Sequence, residues 1–143
     1  MTIGPLKKVT PQGVKDLVGL MVQLRGDGKK PKTSAQEIRV IVNNKNATMI
    51  VVQDKGHIVG VGTLYVMQKV GKRQAHVEDV VVDETYRGQG LGKKVMYALI
   101  AAAKKQKVNS LNLTSRPERK AANALYQKLG FDLAKTNAYR MRL

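Results

Sequence analysis

Apolar positions along this chain change period several times, and each change marks an element. Val14, Leu17, Val18, Met21 and Val22 recur on one helical face. Thr10 as N-cap with Pro11 at the first helical position starts that helix. Leu6 to Val9, just before it, predicts a short strand. Arg25 to Lys32 is turn-rich and basic. Ser34 and Glu37 form a capping box for a second helix carrying Ile38, Ile41 and Val42, which ends in Asn43 to Asn46. The pattern then becomes that of strands. Thr48 to Gln53 and Ile58 to Met67 flank Asp54-Lys55-Gly56, a hairpin signal. Gly60 and Gly62 inside the second of these strands predict a bulge or a close backbone approach. A further strand runs from Gln74 to Val82.

Helical spacing returns from about Gly90 to Gln106, with Leu91, Val95, Leu99 and Ala102 on one face. A strand at Ser110 to Thr114 follows. A helix carrying Ala121, Ala122, Leu125 and Leu129 then stops at Gly130. Two short strands complete the pattern, the last being the alternating tail Tyr139 to Leu143. The order β-α-α-β-β-β-α-β-α-β-β predicts an α/β fold. Its central sheet is mixed and mostly antiparallel, with helices on both faces. At 143 residues the chain fits one domain, 1–143, with enough length for a core.

Composition narrows the chemistry. There is no Cys, so disulfides and Cys-based metal sites are excluded, and His57 and His76 are too few for an imidazole site, so no metal is expected. No secretory h-region or apolar run of membrane-spanning length is present, so a cytoplasmic protein with no membrane partner is expected. The formal charge is +16. Such a field concentrates anions, and a phosphorylated cofactor, an anionic substrate and nucleic acid all compete to explain it. The cations fall in small clusters such as Lys29-Lys30-Pro31-Lys32 and Lys104-Lys105-Gln106-Lys107. Phe131 and five Tyr are the whole aromatic stock, which is thin for stacking single-stranded bases.

The sharpest local signal is Arg87-Gly-Gln-Gly-Leu-Gly92, between an apolar strand and an amphipathic helix. Such a turn offers free backbone N–H groups and the positive end of the helix dipole, a ready pyrophosphate site. It is not a Walker A loop, because Gly92 is followed by Lys93-Lys94 rather than Lys-Ser/Thr. Nor is it a dinucleotide fingerprint: Lys93 stands where the third glycine belongs, and the loop comes late in the chain.

The stretch from Val77 to Lys93 resembles motif A of the GNAT superfamily of N-acetyltransferases, whose Arg/Gln-x-x-Gly-x-Gly/Ala is met by Arg87, Gly90 and Gly92. Asn123 to Phe131 resembles the superfamily's motif B helix with its Gly-Phe ending. The resemblance implies direct transfer of acetyl from acetyl-CoA, as co-substrate, to a primary amine. It implies that Gly88, Gln89, Gly90, Leu91, Gly92 and Lys93 hold the pyrophosphate, with Arg87 adding charge. Main-chain groups of Val80 and Val82 would pair with the pantetheine arm, and the N–H near Val80 would polarise the thioester carbonyl. Asn123 would contact the cofactor, and Tyr126 would protonate the departing thiolate.

A protonated amine of pKa near 10 must lose a proton, at a cost of about 4 kcal/mol at pH 7. Glu78 is the candidate base and His76, on the same strand face, a second candidate; alternation turns Asp79 to the other face. Within GNAT, Val77 to Gly92 is similar to the glucosamine-6-phosphate N-acetyltransferases, whereas Leu113 to Asn123 looks more like bacterial members with unassigned acceptors. The acceptor thus stays open between an amine-bearing small molecule, glucosamine 6-phosphate among them, and a peptide. The alternative is a nucleic-acid-directed GNAT acting on RNA such as aminoacyl-tRNA. The superfamily's frequent dimers add a homodimer as a further expectation.

Overall fold

The computed structural model describes all 143 residues, Met1–Leu143. They form two compact units, Met1–Leu113 and Thr114–Leu143. The first holds β1 (Thr2–Pro5), α1 (Pro11–Arg25), α2 (Ala35–Val42), β2 (Ala47–Asp54), β3 (His57–Lys69), β4 (Lys72–Val82), α3 (Leu91–Lys105) and β5 (Ser110–Leu113). A single 3₁₀ turn, Glu84–Tyr86, precedes α3. The second unit holds α4 (Lys120–Lys128).

Helix ends follow the local chemistry. Thr10 accepts a hydrogen bond from the Gly13 N–H at 3.0 Å, and Gly26, in the left-handed region, closes α1. The capping box of α2 is complete: Glu37 N–H donates to Ser34 and Ser34 N–H donates to Glu37. These partners satisfy N–H groups that every helix start leaves open.

The sheet runs in the order β1-β2-β3-β4-β5, antiparallel throughout except for the parallel β4–β5 pair. Both faces are covered. Leu17 and Leu20 of α1 and Ile38 of α2 pack on Met49, Val51, Val61 and Val81. On the other face, α3 buries Leu91, Val95, Met96, Leu99 and Ala103, an i, i+4 row that takes in Ala103 rather than Ala102. A Cβ on Gly62 would stand 2.9 Å from both Val95 and Leu99, so its absence lets α3 sit directly on β3.

Two expectations are corrected. The first strand is Thr2–Pro5, paired with Gln53 to Ile50, not Leu6 to Val9. Leu6 and Val9 instead pack at the edge of the core as the chain turns into α1. The two closing strands do not form: residues 131–143 carry no regular structure. Alternation in the tail supplies a face to bury, but a strand also needs an edge to pair with. Tyr139, Met141 and Leu143 are 90%, 82% and 115% exposed. No helix is long and apolar enough to cross a membrane.

Candidate active site

Regular pairing fails at one place in the middle of β4. Val61 pairs with Val81 and Thr63 with Glu78, so Asp79 and Val80 together face Gly62 alone. This is a β-bulge, and its first residue, Asp79, has φ +55. An L-residue there costs on the order of 1 kcal/mol, least for Asp and Asn.

The bulge resets which side chains share a face. Strict alternation would put Glu78 and Val80 together. Instead Glu78 sits opposite buried Thr63, on the α1–α2 side with Val61. Val80 reaches within 3.4 Å of the Cβ position of Gly62, on the α3 side.

Asp79 is also re-aimed, which corrects the sequence expectation for it. The extra residue turns its carboxylate into the field of Arg25 at the end of α1, and both Asp79 and Glu78 act on Tyr65. Asp79 keeps an exposed surface, yet burial of its carboxyl raises the pKa above the usual carboxylate range, with Arg25 opposing. The Tyr65 hydroxyl is pushed up, first by burial and then by Asp79 and Glu78. His76 lies opposite Tyr65 in register, within 3.4 Å of the Gln74 amide.

Beyond the bulge, β4 has a partner on one side only. Its parallel pairing with β5 stops at Val77–Leu113, so the ladder on that edge ends before Val80 and Val82. Val82 and Gly60 still pair on the β3 side. The Val82 carbonyl accepts from Arg87 Nε at 3.2 Å, which ties Arg87 to the strand end.

Next comes the glycine loop. Gly88 and Gly90 have φ +79 and +71, and a Cβ at either would meet nothing within 4 Å. Gly90 is the N-cap of α3, no side chain caps the helix, and the first intrahelical bond runs from Lys94 N–H to the Gly90 carbonyl. The N–H groups of Leu91, Gly92 and Lys93 are therefore left to an outside acceptor, as a pyrophosphate site requires. Glycines that open space and uncapped N–H groups fit the phosphates of acetyl-CoA.

A brace behind this loop has no sequence signature. Gln23 of α1 donates to Asp83 at 2.9 Å and accepts from Glu84 N–H at 3.0 Å. Asp83 also accepts from Thr85 N–H and from the Thr85 hydroxyl, which hold its pKa low, aided by Gln23, against a burial effect of opposite sign. Tyr86 donates to Asp54 at 3.1 Å.

In the second unit, the Gly-Phe ending is a Schellman cap. Gly130, at φ +91, donates to the Gln127 carbonyl, and Phe131 N–H donates to Tyr126, each at 3.0 Å. The Phe131 ring meets Tyr126 edge-on at 6.1 Å, so the cap itself fixes the tyrosine. Burial raises the Tyr126 pKa, partly offset by Arg119. Asn123 donates its side-chain amide to the Arg116 carbonyl at 3.0 Å, which commits that amide to the turn before α4.

The site's class follows. The family model of the Acetyltransferase (GNAT) family matches residues 20–131, and the chain belongs to that family. It is an N-acetyltransferase, and the family uses acetyl-CoA as co-substrate. Among its relatives, the glucosamine 6-phosphate N-acetyltransferase of Trypanosoma brucei brucei is 33% identical over 109 residues, 71% of this chain and 72% of that enzyme. The [ribosomal protein bS18]-alanine N-acetyltransferase of Escherichia coli K12 is 39% identical over 61 residues, 43% of this chain and 41% of that enzyme. In fold, the crystal structure of glucosamine-6-phosphate N-acetyltransferase from Arabidopsis thaliana matches with TM-score 0.79 at 22% identity, covering 99% of each chain.

Proposed function

We propose that the chain moves acetyl from acetyl-CoA directly to a primary amine held against the α1–α2 side of β4, and that the amine belongs to glucosamine 6-phosphate or a close relative. The observation that carries the transfer step is the bulge, which puts an unpaired main-chain edge and a pair of carboxylates within three residues of each other. Acetyl-CoA supplies an activated acetyl thioester. Leu91, Gly92 and Lys93 N–H groups hold its pyrophosphate, with Gly88, Gln89 and Gly90 shaping the turn. Val80 and Val82 offer main-chain groups to its pantetheine arm.

Of the two carboxylates, Glu78 faces the ammonium and orients it, while Asp79, with its raised pKa, takes the proton that the amine must lose. Tyr126 is the acid for the departing thiolate. Its raised pKa keeps the hydroxyl protonated at neutral pH, as a proton donor must be.

The phosphorylated sugar is favoured by the trypanosomal relative and by the cations that follow α1. Arg25 lies in the field of Asp79, and Lys29, Lys30 and Lys32 follow it across the Gly26-Asp27-Gly28 turn. A second reading, acetylation of a protein's N-terminal alanine, draws on the Escherichia coli relative.

One assay separates these. Thiol release from acetyl-CoA is measured with glucosamine 6-phosphate, glucosamine and an alanine-ended peptide as acceptors. A preference for the phosphorylated sugar over glucosamine of at least about tenfold in kcat/KM, or about 1.4 kcal/mol, is expected. Equal use of both sugars, or turnover of the peptide alone, overturns the sugar phosphate. Absence of any acetyl-CoA binding by calorimetry overturns the transferase site itself.

A further inference from the structure

Charge is not spread evenly over this protein. Four of its ten acidic residues, Glu78, Asp79, Asp83 and Glu84, fall within seven positions at and beyond the bulge. Two stretches, 55–77 and 85–117, contain no acidic residue at all.

The fold brings the cations of these stretches to one end of the sheet. The β3–β4 hairpin carries Lys69, Lys72 and Arg73. Asn109 donates its N–H to the Arg73 carbonyl at 2.8 Å and accepts the Arg73 N–H on Oδ1 at 2.9 Å. That pair fastens the end of α3, with exposed Lys105 and Lys107, beside the hairpin. On the other flank Val66 N–H donates to the Asn46 carbonyl at 2.7 Å, which places exposed Lys45 there too.

Three details show that this charge is held against local preference. Lys69 and Lys72 are direct cross-strand partners, and like charges in that relation repel. Lys107 has φ +54, a conformation in which glycine is cheaper. No lysine at this end is ion-paired. The acetyl-CoA loop does not account for it either. Arg73 and Val82 are separated by roughly 30 Å of strand, and the loop begins beyond Val82.

We infer that this cationic end, built from the β3–β4 hairpin, the C-terminus of α3 and Lys45, docks on the phosphate backbone of a B-form DNA duplex. A two-stranded ribbon has the breadth that a duplex groove admits, with lysines along its edges for phosphates on either side. Residues 66–73 and 104–109 contain no aromatic residue, so stacking of single-stranded bases has no platform. Met67 and Val70 are the apolar groups exposed at the hairpin, too little for insertion into a bilayer.

The test is fluorescence anisotropy with matched RNA and DNA duplexes of about 20 base pairs at salt between about 50 and 200 mM. Each phosphate contact contributes about −0.9 to the slope of log affinity against log salt, so a slope of about −3 to −5 is expected. Replacing Lys72 and Lys107 by Gln should reduce that slope by about 2 and weaken binding about tenfold or more near 100 mM salt. Replacing Lys15 and Lys55, which lie at the other end of β3, removes the same charge and should leave most of the affinity. Circular dichroism verifies that each variant folds. The RNA duplex, whose major groove is deep and narrow, should bind more weakly than the DNA duplex, and tighter binding to RNA would overturn the choice of DNA. Equal losses in the two variants, tighter binding to single strands, or binding to phosphatidylserine vesicles without duplex binding would each overturn the inference.

Discussion

The two halves of β4 each mix polar with apolar residues, yet they pair in opposite ways. From Gln74 to Val77 the strand is paired on both sides, with β3 antiparallel and β5 parallel, and Ala75 and Val77 are buried at 0% and 3% exposure. From Glu78 to Val82 it is bulged on one side and has lost β5 on the other. The first half contributes Ala75 and Val77 to the core. The second carries two carboxylates, one of them on a positive-φ aspartate, and a main-chain edge without a β5 partner. Here the sheet forgoes a few ladder hydrogen bonds, and Gly62 lets α3 cover the other face of the same interruption.

The sharpest way to break that contrast is to remove the chemistry from the bulge and leave its backbone alone. Asp79→Asn retains the tolerance for φ +55 but cannot take a proton. Turnover should fall by about 10²–10⁴, the range for losing a general base. Because burial raises the Asp79 pKa, wild-type kcat/KM should climb with pH through a value above the ordinary carboxylate range. Arg25 opposes that shift, and the Glu78 carboxyl and the Tyr65 hydroxyl share the region. The variant should lose this acidic limb, whereas Glu78→Gln should raise KM and keep it. A limb that survives Asp79→Asn and disappears with Glu78→Gln would reverse the two assignments.

The next test strikes the packing that backs the bulge. Gly62→Ala places a methyl 2.9 Å from Val95 and Leu99 on a well-packed face and should destabilise the fold by about 1–3 kcal/mol in urea melts. Gly4→Ala, where nothing lies within 4 Å, is the matched control and should change stability little.

Sequence patterning reached the elements whose causes are local. Thr10-Pro11, the Ser34–Glu37 box, Lys55-Gly56 and the Gly130 stop each act over a few residues, and each is in place. The glycine loop was legible for the same reason. Asp79 was not, because alternation assumes one residue per partner, and only the pairing with β3 reveals two residues facing Gly62. Gly60 and Gly62 hinted at a bulge without saying which strand would carry the extra residue. The closing strands failed for a related cause: alternation describes a face and does not by itself supply a hydrogen-bonded partner, and residues 131–143 carry no regular structure. Most hidden of all was the Gln23–Asp83 contact, which joins residues 60 apart in sequence.

That contact sets the next prediction. Gln23→Ala removes one hydrogen bond to a charged carboxylate and one to the Glu84 N–H, with a loss of about 1–2 kcal/mol expected at these partly exposed groups. Since the brace sits behind the phosphate loop, acetyl-CoA affinity by calorimetry should weaken while kcat at saturation stays near wild type. A drop in kcat with unchanged affinity would place Gln23 in the acceptor half of the site instead.

The smallest effect belongs to Asp83 itself and is read as pH dependence. Thr85 and then Gln23 hold its folded-state pKa below the ordinary carboxylate value. A carboxylate depressed by folding binds fewer protons in the native state than in the unfolded chain. Its contribution is therefore complete above the unfolded pKa near 3.9 and is lost as pH falls through the lower folded value. Asp83→Asn should consequently flatten the stability profile on the acid side of about pH 4, with its small deficit against wild type constant toward neutrality and shrinking as pH falls. Much of the group faces water, so screening limits the size of the effect. Urea midpoints across the acid range test this: identical acid slopes for wild type and variant would mean that the Thr85 and Gln23 hydrogen bonds do not distinguish the charged carboxylate from the neutral one.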